Sequence, residues 1–77
     1  MENDLQFFSQ RLKLLRKEKK LTQKEMALFL DKTERHYQDI EAGRINIPSL
    51  MLLKLADYFG VSADYLLGRT ENREVNR

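Results

Sequence analysis

The chain has 77 residues, the size of one small domain, and a chain this short buries only about 60% of its unfolded surface. It has no cysteine, which excludes disulfides and thiolate metal sites, and no apolar run approaches the ~20 residues that span a bilayer. The net charge is +2, but residues 1–24 carry seven basic against three acidic side chains and residues 25–77 seven against nine, so the first third suits either a polyanion or a lysine-rich solvated face.

Three glycines, one proline and no polar–apolar alternation argue for helices alone. Leu5, Phe8, Leu12 and Leu15 recur at helical spacing and predict a first helix from Asp4 to about Lys19. Thr22 with Glu25 three residues on forms a capping box and opens a second helix, Gln23 to Leu30, that buries Met26, Ala27 and Leu30. Thr33 is a good N-cap for a third helix and Gly43 a good C′ residue. Pro48 suits the first turn of a fourth helix, which should end at Phe59 before Gly60. Ser62 caps a short fifth helix closed by Gly68. The fold class is all-α, a compact five-helix domain over residues 1–69, with 70–77 as a polar mobile tail.

Catalysis finds little support. His36 is the sole histidine, so no cluster of zinc ligands can form. No glycine-rich phosphate loop or nucleophile elbow is present. Asp39 and Glu41 sit two apart on a helix and do not face each other. The chain reads as a non-enzyme without cofactor or metal. Helices 2 and 3, joined by Asp31 and Lys32, fit a helix-turn-helix, and they fit an ordinary antiparallel helical hairpin equally well.

The residues themselves favour the first. RLKLLRKEKKLTQKEMALFL, then EAG, then LADYFGVSADYLLGR resembles the XRE, or Cro and lambda-repressor-type, helix-turn-helix family from about Phe8 to Arg69. The combination of R-L-x-x-L-R, L-T-Q, E-x-G and G-V-S-x-D-Y-L-L-G in this order is specific. The resemblance implies a lambda-repressor-like fold with its helix-turn-helix in helices 2 and 3. It also implies a DNA-binding transcriptional regulator, expected to be a repressor. Such a protein is bacterial, phage or plasmid-encoded, cytoplasmic, and a homodimer on palindromic double-stranded DNA. The acidic opening MENDLQFF fits the absence of a secretory signal. The chain is then a minimal Cro-like regulator or the N-terminal domain of a longer protein.

Stepping helix 3 by 100° per residue from an inward Tyr37 turns Arg35, Gln38 and Asp39 outward, with Glu34 at the first turn. The resemblance assigns base reading to these four. Arg35 suits guanine, Gln38 adenine, and Asp39 or Glu34 cytosine; a plain i,i+4 surface pair between Arg35 and Asp39 is the alternative. Gln23 begins helix 2, where free amides favour phosphate, and the family uses this glutamine as a phosphate clamp. Thr22, Lys32, Arg44 and Asn46 are further phosphate candidates. The same stepping leaves Glu41 inward, and the family pairs it with the helix 1 arginine, here Arg16, as a structural ion pair.

The chain departs from the family in several places. Asp31-Lys32 replaces a glycine and an apolar residue in the turn. Tyr37 replaces a β-branched aliphatic, and its hydroxyl needs a partner, for which a phosphate is one candidate. Ile40 takes a position that is often aromatic. Leu14, Leu28 and Phe29 stand where polar residues are usual. They either enlarge the core or offer a surface to a partner protein, as in an antitoxin. The resemblance places the dimer interface at Ile47, Ala63, Tyr65 and Leu66.

Overall fold

The computed structural model describes residues 4–74. Five helices follow in order: α1 (Asp4–Glu18), α2 (Gln23–Leu30), α3 (Glu34–Glu41), α4 (Ser49–Phe59) and α5 (Ala63–Leu66). No strand occurs among the described residues, and no helix is long and apolar enough to cross a membrane.

Local chemistry sets the helix ends. The Glu25 amide donates to Thr22 Oγ1 at 3.0 Å while Glu25 Oε1 accepts from the Thr22 amide at 2.8 Å, completing the capping box. The Thr22 amide is the main reason the Glu25 carboxyl sits below its ordinary range. Thr33 caps α3 through the His36 amide at 3.0 Å, and Ser62 caps α5 through the Tyr65 amide at 2.9 Å. Pro48 sits one position earlier than the first helical turn expected for it. It is the N-cap of α4, with no side-chain cap, and its carbonyl accepts from Met51 and Leu52.

Two helix ends use a left-handed residue that is not glycine. Asp31 (φ 57°) lets the Lys32 amide fold back onto the Ala27 carbonyl at 2.9 Å, which is how the turn manages without glycine. Lys20 (φ 58°) does the same after α1, returning the Leu21 amide to the Arg16 carbonyl at 3.1 Å. Aspartate tolerates this conformation better than most residues; lysine has no such excuse, and no stop signal in the sequence marks it.

The core gathers one stripe from every helix. Phe8 and Leu12 of α1, Met26 of α2, Tyr37 and Ile40 of α3, Leu55 of α4 and Leu66 of α5 are all within 1% of complete burial. Tyr37 and Ile40, the larger residue at one position and the smaller at the other, are both fully buried. Leu5 and Met51 pack at the core's edge. Phe7 lies on Gly68, where a Cβ would approach its ring to 2.4 Å. That close approach needs glycine for space as well as for its φ of 78°.

The packed unit does not stop at residue 69. Arg11 Nη1 donates to the Tyr65 carbonyl (2.8 Å) and the Thr70 carbonyl (2.6 Å), and Nη2 reaches Glu71. Arg73 makes two 2.9 Å bonds to Glu18 and its backbone carbonyl accepts from the Ser62 amide. Both guanidiniums lie against the Tyr65 ring, at 4.3 and 5.1 Å. Residues 70–74, read from sequence as part of a mobile tail, are therefore tied to α1 and α5 by charge and stacking rather than by apolar burial. Val75 to Arg77 of that tail lie outside the described residues.

Candidate nucleic-acid interface

α2, the three-residue turn at 31–33 and α3 pack as one unit. Helical stepping points Arg35, Gln38 and Asp39 outward, with Glu34 at the first turn; Glu34 and Arg35 are exposed, the Arg35 side chain at 85%. Gln38 and Asp39 are half-buried instead. Asp39 is held from two sides. Its Oδ1 accepts from Arg44 Nη1 at 3.0 Å and its Oδ2 lies 3.9 Å from Arg35 Nε. Gln38 lines a shallow polar recess with Lys13, Gln23, Glu41 and Ala42. Lys13 was not among the residues that the sequence singled out; the only sequence signal for it is its place one turn before Arg16 on α1.

At the start of α2, the amides of Gln23 and Lys24 precede the first intrahelical bond, which runs from Met26 to Thr22. Such amides, with the positive end of the helix dipole, favour an anion. The Gln23 side chain turns inward and donates to Glu41 Oε1 at 3.4 Å. Thr22 is exposed at this end, Lys32 in the turn before α3, and Arg44 and Asn46 just after α3.

Beneath the surface lies a satisfied ionic knot. Arg16 grips Glu41 through Nε (2.7 Å) and Nη2 (2.8 Å), and its Nη1 donates to the Leu21 carbonyl at 2.8 Å. The two side chains are 12% and 4% exposed. The Tyr37 hydroxyl donates to Glu41 Oε2 at 2.5 Å. Its partner is thus a carboxylate on its own helix, one turn on, and not a phosphate at the rim. Burial alone would raise the Glu41 carboxyl; Arg16 and then Tyr37 hydrogen-bond its charged form and hold it below the ordinary range. Burial first, then the hydrogen bond to Glu41 and its charge, push the Tyr37 hydroxyl well above its ordinary value. Tyr37→Phe should cost about 1.5–3 kcal/mol in urea denaturation, the range for a hydrogen bond to a charged group. A variant as stable as the parent would show that Arg16 and Gln23 satisfy Glu41 without Tyr37.

The apolar positions divide. Phe29 is half-buried, its ring centroid 4.3 Å from that of Tyr58 and its face covered by Lys54 Nζ at 4.9 Å. Leu28 stays 73% exposed and Leu14 46%. Of the four residues read as a dimer surface, Tyr65 and Leu66 belong to the protomer's own core, at 5% and 0% exposure, and have no surface to give a second copy. α5 is a single turn, too short for periodicity to define its inner face. Ile47 and Ala63 are half-buried. Leu50 and Leu53 of α4, which the sequence did not single out, are 79% and 50% exposed. Leu53 borders Ala63 in a groove of about 260 Å³.

Comparison with known proteins places this geometry. The helix-turn-helix family matches residues 12–66. A relative from Bacillus subtilis (strain 168), named as an uncharacterized HTH-type transcriptional regulator, YqaE, is 40% identical over 68 residues. The match takes in 88% of this chain, and the chain spans 59% of that relative's length. No solved structure matches the chain.

Proposed function

The chain belongs to the XRE-type helix-turn-helix family, and from that premise we propose that it is a sequence-specific DNA-binding transcriptional regulator, acting most simply as a repressor. Its all-α, lambda-repressor-like fold holds α3 so that the Arg35 side chain stands 85% exposed on the surface, and this observation carries the reading. In a major groove, Arg35 would address a guanine and Gln38 an adenine, with Glu34 and Asp39 on the same side. Thr22, Gln23, Lys32, Arg44 and Asn46 would hold the backbone and set register without choosing sequence. Arg16 and Glu41 tie the reading helix to α1. The reading includes no catalytic step. Selection from a random pool of double-stranded DNA tests it: enrichment of a palindromic sequence is expected, and no enrichment over competitor DNA ends the specific-regulator reading.

A palindrome requires two copies related by a two-fold axis, with α3 helices about 34 Å apart. The support for a dimer is the exposed leucines of α4, Leu50 and Leu53, of which Leu53 borders Ala63, with Ile47 nearby in sequence. Leu53→Asp should shift sedimentation toward the monomer and weaken binding to the palindrome more than to a half-site. Equal loss on both would count against this face.

A second reading draws on Leu28 and Leu14: a module that binds a partner protein, as an antitoxin does. It is compatible with DNA binding. A chain that selects no DNA sequence yet leaves these leucines open would favour it.

A further inference from the structure

We propose that Asp39 is a positioning residue that acts on DNA through Arg35 and Arg44 rather than as a direct acceptor for a base. The inference rests on the DNA-binding reading above. The Asp39 side chain is 26% exposed, and both of its oxygens face guanidiniums on different parts of the chain. Arg35 stands on the first turn of α3, and its Nε is the atom nearest Asp39, at 3.9 Å. A guanidinium that keeps Nε toward Asp39 has its terminal Nη1 and Nη2, the fork that matches guanine O6 and N7, available to a base. Arg44 follows the helix. Gly43, at φ 76°, reverses the chain there, and the Arg44 amide donates to the Asp39 carbonyl at 2.9 Å. Backbone and side chain therefore both fix Arg44 at Asp39, with the Arg44 side chain 67% exposed.

Two consequences follow from one carboxylate serving two cations. To accept from a cytosine amino group, Asp39 would have to use Oδ2, which faces Arg35 while Oδ1 holds Arg44, so direct reading competes with the orientation of Arg35. A phosphate that recruits Arg44 likewise competes with Asp39 whatever the sequence, which weakens binding to DNA in general. Only a site that also engages the oriented Arg35 recovers the loss. Asp39 thus trades general affinity for discrimination.

The test titrates a short mixed-sequence duplex and the sequence that the parent chain selects from a random pool, across a salt range. Asp39→Ala should bind the mixed-sequence duplex about two- to fivefold tighter at low salt, the scale of an exposed ion pair. Its log K against log salt should steepen by about 0.9, one more phosphate engaged, and its preference for the selected sequence should fall. Asp39→Glu should restore the parent's slope in part. Asp39→Asn, of the same volume without the charge, moves in the same direction, so the result does not depend on how the alanine variant folds. In an Arg44→Ala background the gain should vanish. The proposal is overturned by a gain that persists there in full, which would mean diffuse repulsion. It is equally overturned by unchanged mixed-sequence binding with discrimination lost at a single cytosine-bearing pair, which would mean direct reading. A parent chain that binds neither duplex overturns the DNA-binding reading itself, and this inference with it.

Discussion

Glu41→Ala should destabilise the domain by about 3–5 kcal/mol, the cost of leaving one member of a buried ion pair alone. The carboxylate accepts from Arg16 twice, from Tyr37 and from Gln23. Its removal strands Nε and Nη2 of a guanidinium whose side chain is 12% exposed and a tyrosine hydroxyl in a residue that is 0% exposed. A chain of 77 residues has a total stability of about 4–12 kcal/mol at typical per-residue values. The variant should therefore be marginal or unfolded at room temperature. Urea denaturation gives the loss as a lower midpoint at unchanged slope. The double variant Arg16→Ala with Glu41→Ala should be less damaged than the two losses added together, because each single change strands what the other removes. Glu41→Ala melting like the parent would mean that the pair contributes nothing to the fold.

The same knot sets the pH response. Glu41 is held below its ordinary value when folded, so its contribution is complete above the unfolded carboxyl value of about 4.3. It is lost as pH falls through the folded value. Tyr37 is held above its ordinary value, so its share is complete below about pH 10 and is lost as pH rises beyond it. Stability should be flat through neutrality, and Glu41→Gln should flatten part of the acid limb.

What the sequence makes legible is local. Thr22 with Glu25, Thr33, Gly43, Gly60 and Gly68 mark helix ends because caps and left-handed turns need those side chains within three or four residues. The inward turn of Glu41 follows from helical stepping, and Tyr37 lies four residues before it on the same face, so their bond was within reach of the same arithmetic. The Asp39–Arg44 pair was not, since it depends on the chain reversing at Gly43, beyond the last residue that stepping can place. Arg11 with Glu71 and Arg73 with Glu18 join residues 60 and 55 apart in sequence. No periodicity connects them, and a polar segment docked by charge carries the composition of a loose one. The burial of Tyr65 and Leu66 was hidden for a different reason, because one helical turn offers no repeat from which to find a face.

Arg35→Ala should relax sequence preference at one base pair of each half-site by about 1–3 kcal/mol while leaving the melting curve unchanged. The side chain is 85% exposed and its nearest carboxylate stands at 3.9 Å, so the folded state loses at most a weak surface pair. Arg44→Ala provides the contrast: if Arg44 holds phosphate as proposed, its removal should weaken binding to every sequence alike and flatten the salt dependence. The magnitude also reports stoichiometry. In a two-fold dimer the Arg35 substitution acts twice, about 2–6 kcal/mol in all, against a usual gap of about 4–10 kcal/mol between specific and non-specific binding. Selection from a random pool by the variant should then return a degenerate position in both arms of the palindrome. Degeneracy in one arm only would mean that a single copy reads DNA. The parent's consensus recovered intact, with affinity lowered equally on all sequences, would make Arg35 a phosphate ligand and move the choice of sequence to Gln38 and Glu34.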